Sequence, residues 1–172
     1  MLKTCGITGI RFMNMALALT LMWVTPAFTQ IPAKTIPAFS FKKQDNTVFT
    51  HRNLKEGRSV FFVFFDTHCD HCQRAMEYIN QQYERFKHTD IYLVTLDSMD
   101  KVKPFMDRYG KMLNTKKNVL ILKDTRNEFI KTFGPRKYPS LFLYSKKREL
   151  IMYSDDEKEL SRVIAYIHAT EK

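Results

Sequence analysis

The sequence predicts an α/β domain, with a central mixed β-sheet flanked by helices and an extra N-terminal β-hairpin. Three observations carry this expectation. "SVFFVFF" (59–65), "IYLVTLD" (91–97) and "NVLILKD" (118–124) are continuous β-branched and aliphatic or aromatic runs, the pattern of strands buried on both faces. Each precedes a helical pattern, and right-handed crossovers turn such alternation into a parallel sheet. Two further runs, "YPSLFLYS" (138–145) and "ELIMYS" (149–154), are joined by the charged turn "KKR" and add an antiparallel pair.

Each element has its own signal. "IPAKTIPA" (31–38) holds two prolines and reads as an extended entry segment, and "FSFKKQDNTVFTHRNL" (39–54) alternates around "QDN" as a short hairpin. The run 59–65 is expected at the centre of the sheet. From Cys72 onward, Ala75, Met76, Ile79, Tyr83 and Phe86 recur at helical spacing, which predicts an amphipathic helix ending near His88. "DKVKPFMDRYG" (100–110) is a helix stopped by Gly110, with Pro104 placed near its start. "NEFIKTFG" (127–134) is a short helix. A last helix, from about Asp156 to Ala169, buries Leu160, Val163, Ile164 and Ile167, with Ser154 or Asp155 as its cap.

The 172 residues fit one domain, and 44% apolar with 13% aromatic content is ample for one core. The first segment differs from the rest. Lys3 and Arg11 precede the ten-residue apolar block "MALALTLMWV" and then "TPAFTQ", which is the pattern of a secretory signal peptide. The expected division is therefore 1–29 signal peptide, cut between Thr29 and Gln30, and 30–172 mature domain. The block falls short of the roughly 20 apolar residues of a membrane span, so export to the periplasm is expected, with a membrane anchor facing the periplasm as the alternative. Loss of this segment lowers the net charge from +10 to +8. The remaining basic residues are scattered among acids without interleaved aromatics. They exclude a nucleic-acid surface and leave room for weak association with an anionic membrane surface or with acidic client proteins.

Removal of 1–29 also removes Cys5, so Cys69 and Cys72 are the whole cysteine content of the mature chain. One C-x-x-C is not a disulfide scaffold, which shows several pairs at wider spacing. Three readings of the pair are open: a redox couple, a metal site, or a static bridge. For a metal, His68, Cys69, His71 and Cys72 would offer two thiolates and two imidazoles, suited to Cu(I) or Zn(II). His51, His88 and His168 are not placed by any motif. Gln73 rather than His follows Cys72, which excludes c-type haem attachment.

A C-x-x-C after a buried strand, the proline of "KYPSLFLY" 67 positions after Cys72, and two closing strands and a helix resemble the thioredoxin fold. With the leading hairpin, the export signal and the helix between "IYLVTLD" and "NVLILKD", the chain is similar to the TlpA/ResA-like envelope thiol-disulfide oxidoreductases of the redoxin/AhpC-TSA superfamily. The resemblance spans roughly residues 31 to 170. It implies a thioredoxin-like fold and a protein-disulfide reductase with Cys69 attacking and Cys72 resolving. It further implies Pro139 as a cis-proline facing the pair, Tyr138 bordering the substrate groove, and no cofactor beyond the Cys69–Cys72 disulfide. Partners would be protein thiols or disulfides and an envelope electron donor, met by a monomer.

The residues around the pair add detail. At the start of a helix, unpaired N–H groups and the helix dipole favour an anionic sulfur at Cys69, while Cys72, one turn on, faces the core. His68 and His71, if protonated, act in the same sense as the dipole and Asp70 in the opposite sense, so oxidase or isomerase variants of the activity remain open. Many thioredoxins carry a buried acid six residues before the first cysteine. Here that place is Val63, and the nearest acid, Asp66, becomes the candidate for moving the Cys72 proton. A copper- or zinc-binding module and a noncatalytic adaptor with an inert bridge are the other two function classes.

Overall fold

The computed structural model describes residues 30–170, so the expected signal peptide and its cut lie outside the described residues. Seven strands form one sheet in the order β2-β1-β5-β4-β3-β6-β7. They are β1 (Ser40–Lys43), β2 (Val48–Thr50), β3 (Ser59–Phe64), β4 (Thr89–Thr95), β5 (Val119–Lys123), β6 (Ser140–Tyr144) and β7 (Leu150–Ser154). The helices are α1 (Asp70–Gln81), α2 (Met99–Tyr109), α3 (Glu128–Phe133) and α4 (Leu160–Thr170). β3, β4 and β5 pair in parallel, and every other pairing is antiparallel. Strand β3 sits one place from the middle, which belongs to β4, because the N-terminal hairpin docks beyond β5 through Lys42–Lys123 and Lys43–Leu122. That docking shifts the centre away from the run expected to hold it.

Alternation along the strands builds two cores. Phe61, Val63 and Phe65 face the side covered by α1, α2 and α4, whereas Val60, Phe62 and Phe64 face the side of α3 and the entry segment. β4 and β6 split in the same way, so each inner strand feeds both layers. The entry segment starts at the opposite edge of the sheet. Thr35 bridges Glu149, the Leu150 N–H donates to the Lys34 carbonyl at 2.8 Å, and the Tyr144 hydroxyl donates to the Ala33 carbonyl at 3.0 Å. The chain then crosses the aromatic face to reach β1.

Element boundaries differ from the sequence reading where side chains redirect the backbone. Tyr83 and Phe86 are buried as expected, but α1 stops at Gln81 and a 3₁₀ turn, Tyr83–Phe86, carries them. There Phe86 stacks on Phe61 at 5.7 Å and the Tyr83 hydroxyl donates to Asn118 at 2.6 Å. The Asn118 amide also donates to the Phe86 and Thr89 carbonyls, so β4 begins at Thr89, before the apolar run does. Pro104 is the sixth residue of α2, past the first turn, where the exposed face tolerates the missing N–H. Neither Ser154 nor Asp155 caps the last helix. Asp156 accepts from the Lys158 N–H at 2.9 Å and starts a 3₁₀ turn, Glu157–Glu159, that leads into α4 at Leu160.

Candidate active site

Cys69 is the N-cap of α1, with extended backbone angles (φ −85°, ψ 116°), and its Sγ accepts from the Cys72 N–H at 3.4 Å. A sulfur anion at this point would meet the free N–H groups and the positive end of the helix dipole. The loop before it is pinned from the loop that follows β4. Asp97 accepts from the Thr67 N–H at 2.9 Å and from its hydroxyl at 2.8 Å, and Asp66 accepts from the His68 N–H at 2.7 Å. Cys69 is partly accessible, Cys72 is fully buried, and both are free thiols. Burial pushes the Cys72 thiol well above its ordinary value; the Asp66 backbone amide opposes this, while the nearby Cys69 sulfur and Asp66 carboxylate reinforce it.

The Tyr138–Pro139 peptide bond is cis, and the Tyr138 carbonyl lies 3.8 Å from Cys69 Sγ. Tyr138 is half-buried, its ring 4.8 Å from that of Phe64, and burial followed by the negative field of Asp66 and Asp97 raises its phenol to about 12. It borders a hollow of about 200 Å³ shared with Phe64, Ile130, Pro135, Arg136 and Lys137. Val63 is fully buried on the same sheet face as Cys72, so the expected acid position is apolar. Asp66 reaches Cys72 through its backbone and its field, and its carboxylate is engaged by His68.

The two histidines beside the pair turn to different partners. His68, 71% exposed, stands 3.7 Å from Asp66, while His71 points to Glu157. The ligand set His68, Cys69, His71 and Cys72 therefore does not converge. Among the described residues, the group whose ligand atoms all lie within 4.8 Å of one another is Asp66, His68 and Asp97, and two of its oxygens are already hydrogen-bond acceptors for the loop. Asp70 is exposed in the first turn of α1. His51, His88 and His168 lie on the turn after β2, the loop before β4 and the end of α4.

Glu157 and Arg74 were missed in the sequence. Glu157 Oε2 lies 2.9 Å from His71 Nδ1, and Oε1 accepts from Arg74 Nε at 2.9 Å, with the carboxylate side chain only 8% exposed. Burial works against ionisation there, but hydrogen bonds from His71, the local backbone and Arg74 outweigh it and hold the carboxyl at about 2. No sequence spacing signals a contact across 86 positions; "DDEKE" reads only as a helix start.

The AhpC/TSA family model matches residues 32–153. The chain belongs to this family. Its thioredoxin-like fold is shared with the solution structure of an uncharacterized thioredoxin-like protein from Porphyromonas gingivalis, at TM-score 0.64, 19% identity, and coverage of 81% of this chain and 94% of that one. It is also similar to the crystal structure of peroxidoxin BcpB from Mycobacterium tuberculosis, at TM-score 0.65, 13% identity, and coverage of 80% and 96%. In sequence, the chain is 29% identical over 112 residues to thiol-disulfide oxidoreductase ResA of Bacillus thuringiensis subsp. konkukian. That match covers 65% of this chain and 63% of ResA, so the chain spans under two thirds of this relative's length. No helix among the described residues is long and apolar enough to cross a membrane.

Proposed function

We propose that this protein is an exported thiol-disulfide oxidoreductase that reduces protein disulfides in the cell envelope through Cys69 and Cys72. The observation that carries the reading is the asymmetry of the pair. Cys69 caps α1 beside the open backbone edge of Tyr138, and Cys72 is buried one turn behind it. Attack of the Cys69 thiolate on a substrate disulfide forms a mixed disulfide and releases one substrate sulfur as a thiolate. Cys72 then loses its proton and attacks Cys69 Sγ. The Cys69–Cys72 disulfide forms, the second substrate thiolate leaves, and two electrons have passed to the substrate. Because burial keeps Cys72 protonated until this step, it waits as a thiol; Asp66 is the candidate that takes its proton, directly or through solvent.

An envelope electron donor restores the dithiol. The +8 surface expected after export favours acidic clients and weak contact with an anionic membrane surface, and the protein works as a monomer. Replacing Cys72 by Ser tests the reading, since the mixed disulfide can then form but not resolve. The expected result is client proteins trapped on Cys69 and released by dithiothreitol. Complete absence of such adducts, with the variant folded, would overturn it. The reduction potential sets the direction: about −270 mV or lower marks a reductase, and about −120 to −180 mV an oxidase or isomerase.

A further inference from the structure

Glu157 takes no part in the exchange steps, yet its carboxylate is buried against His71, one of the two residues that separate the cysteines. It arrives from the turn before α4 and engages two side chains of α1 at once, His71 through Oε2 and Arg74 through Oε1. Those residues are three apart and share one helix face, and Arg74 Nη2 lies 2.8 Å from the same His71 nitrogen, which closes a three-membered cluster. A carboxylate withdrawn from water is costly unless its partners are well placed. Here both oxygens are matched, and the group stays charged throughout the pH range in which thiolates exchange.

We propose that Glu157 is a positioning residue for the Cys69/Cys72 couple. It fixes the His71 ring and the Arg74 guanidinium against the turn before α4 and compensates the charge that Arg74 brings against His71, the second residue of α1. This rests on the redox reading of the pair. The reduced couple gains from positive charge near Cys69 because the thiolate is anionic, whereas the disulfide is neutral. With Glu157 in place the Arg74 charge is offset. Without it, one uncompensated cation remains against His71 in the first turn of α1, and the disulfide becomes the stronger oxidant.

The test is the equilibrium of the full chain with glutathione, in which the disulfide plus two glutathione thiols gives the dithiol plus glutathione disulfide. Glu157→Gln is expected to move this equilibrium about threefold toward the dithiol. Arg74→Gln, at a side chain 54% exposed and safe for folding, is expected to move it the other way by a similar factor. The double variant should return to the parent value, which a merely structural clamp would not produce. Glu159→Gln, which breaks the neighbouring pair with Arg162, is expected to leave the equilibrium unchanged. An unchanged equilibrium in both single variants, or a shift that persists in the double variant, would overturn the proposal while leaving the couple intact. Failure of the parent chain to exchange at all would overturn the redox reading beneath it.

Discussion

The two faces of the sheet are built from different chemistry. One carries rings from nearly every element that touches it: Phe62 lies within about 6 Å of Phe39, Tyr92, Phe129, Phe133 and Tyr144, and Phe129 stacks on Phe133 at 4.1 Å. The other is mostly aliphatic and methionine, and it receives Cys72 beneath α1. β3 feeds both with alternate residues, so stability and reactivity are separated by the pleat of one strand. The aromatic face holds the chain together through apolar area and ring geometry. The aliphatic face holds up a helix whose first turn is left open to solvent.

Two substitutions should break this division in opposite ways. Cys69→Ser changes one atom at an accessible cap and is expected to abolish thiol-disulfide exchange while leaving thermal unfolding nearly unmoved. Phe62→Ala is expected to cost about 3–5 kcal/mol of stability, seen in denaturant unfolding, with the glutathione equilibrium of the folded protein unchanged. If Phe62→Ala also displaced that equilibrium, the two faces would be coupled through β3.

A smaller effect is expected where the aromatic face meets the segment that leads from α3 to Pro139. Gly134 ends α3 with φ at 67°, and a Cβ there would collide with the Ile31 carbonyl of the entry segment. Gly134→Ala is expected to destabilise by about 1–3 kcal/mol, from the left-handed backbone and the displaced segment together. An unfolding temperature that stayed the same or rose would argue against both contributions.

The order of elements was readable because the buried runs and helical stripes are long and sharply patterned. The site was readable where it is local in sequence: Cys69 and Cys72 lie in one helical turn, and Tyr138 precedes a proline at the head of a buried strand. What sequence could not supply are contacts between distant charged residues. Glu157 looks like any acid at a helix start, and only folding carries it to His71 and Arg74. Asn118 likewise carries no pattern, yet its amide sets the start of β4 and receives Tyr83. The middle of the sheet was misplaced for a similar reason, since alternation locates a hairpin but not the strand it docks against.

The mildest difference between the faces lies in their response to acid. Glu157 has its carboxyl at about 2 in the folded protein against an ordinary 4.5, so between these values the unfolded chain binds a proton that the folded one refuses. Its contribution to stability is therefore complete above about pH 4.5 and fades as the pH falls toward about 2. The destabilisation caused by Glu157→Gln, followed by thermal unfolding, is expected to hold steady down to about pH 5 and to shrink below it. Phe62→Ala removes no titrating group, so its cost should not shrink in that window. A Glu157→Gln deficit that stayed constant down to pH 2 would mean that the side chain works through packing alone, as the rings on the opposite face do.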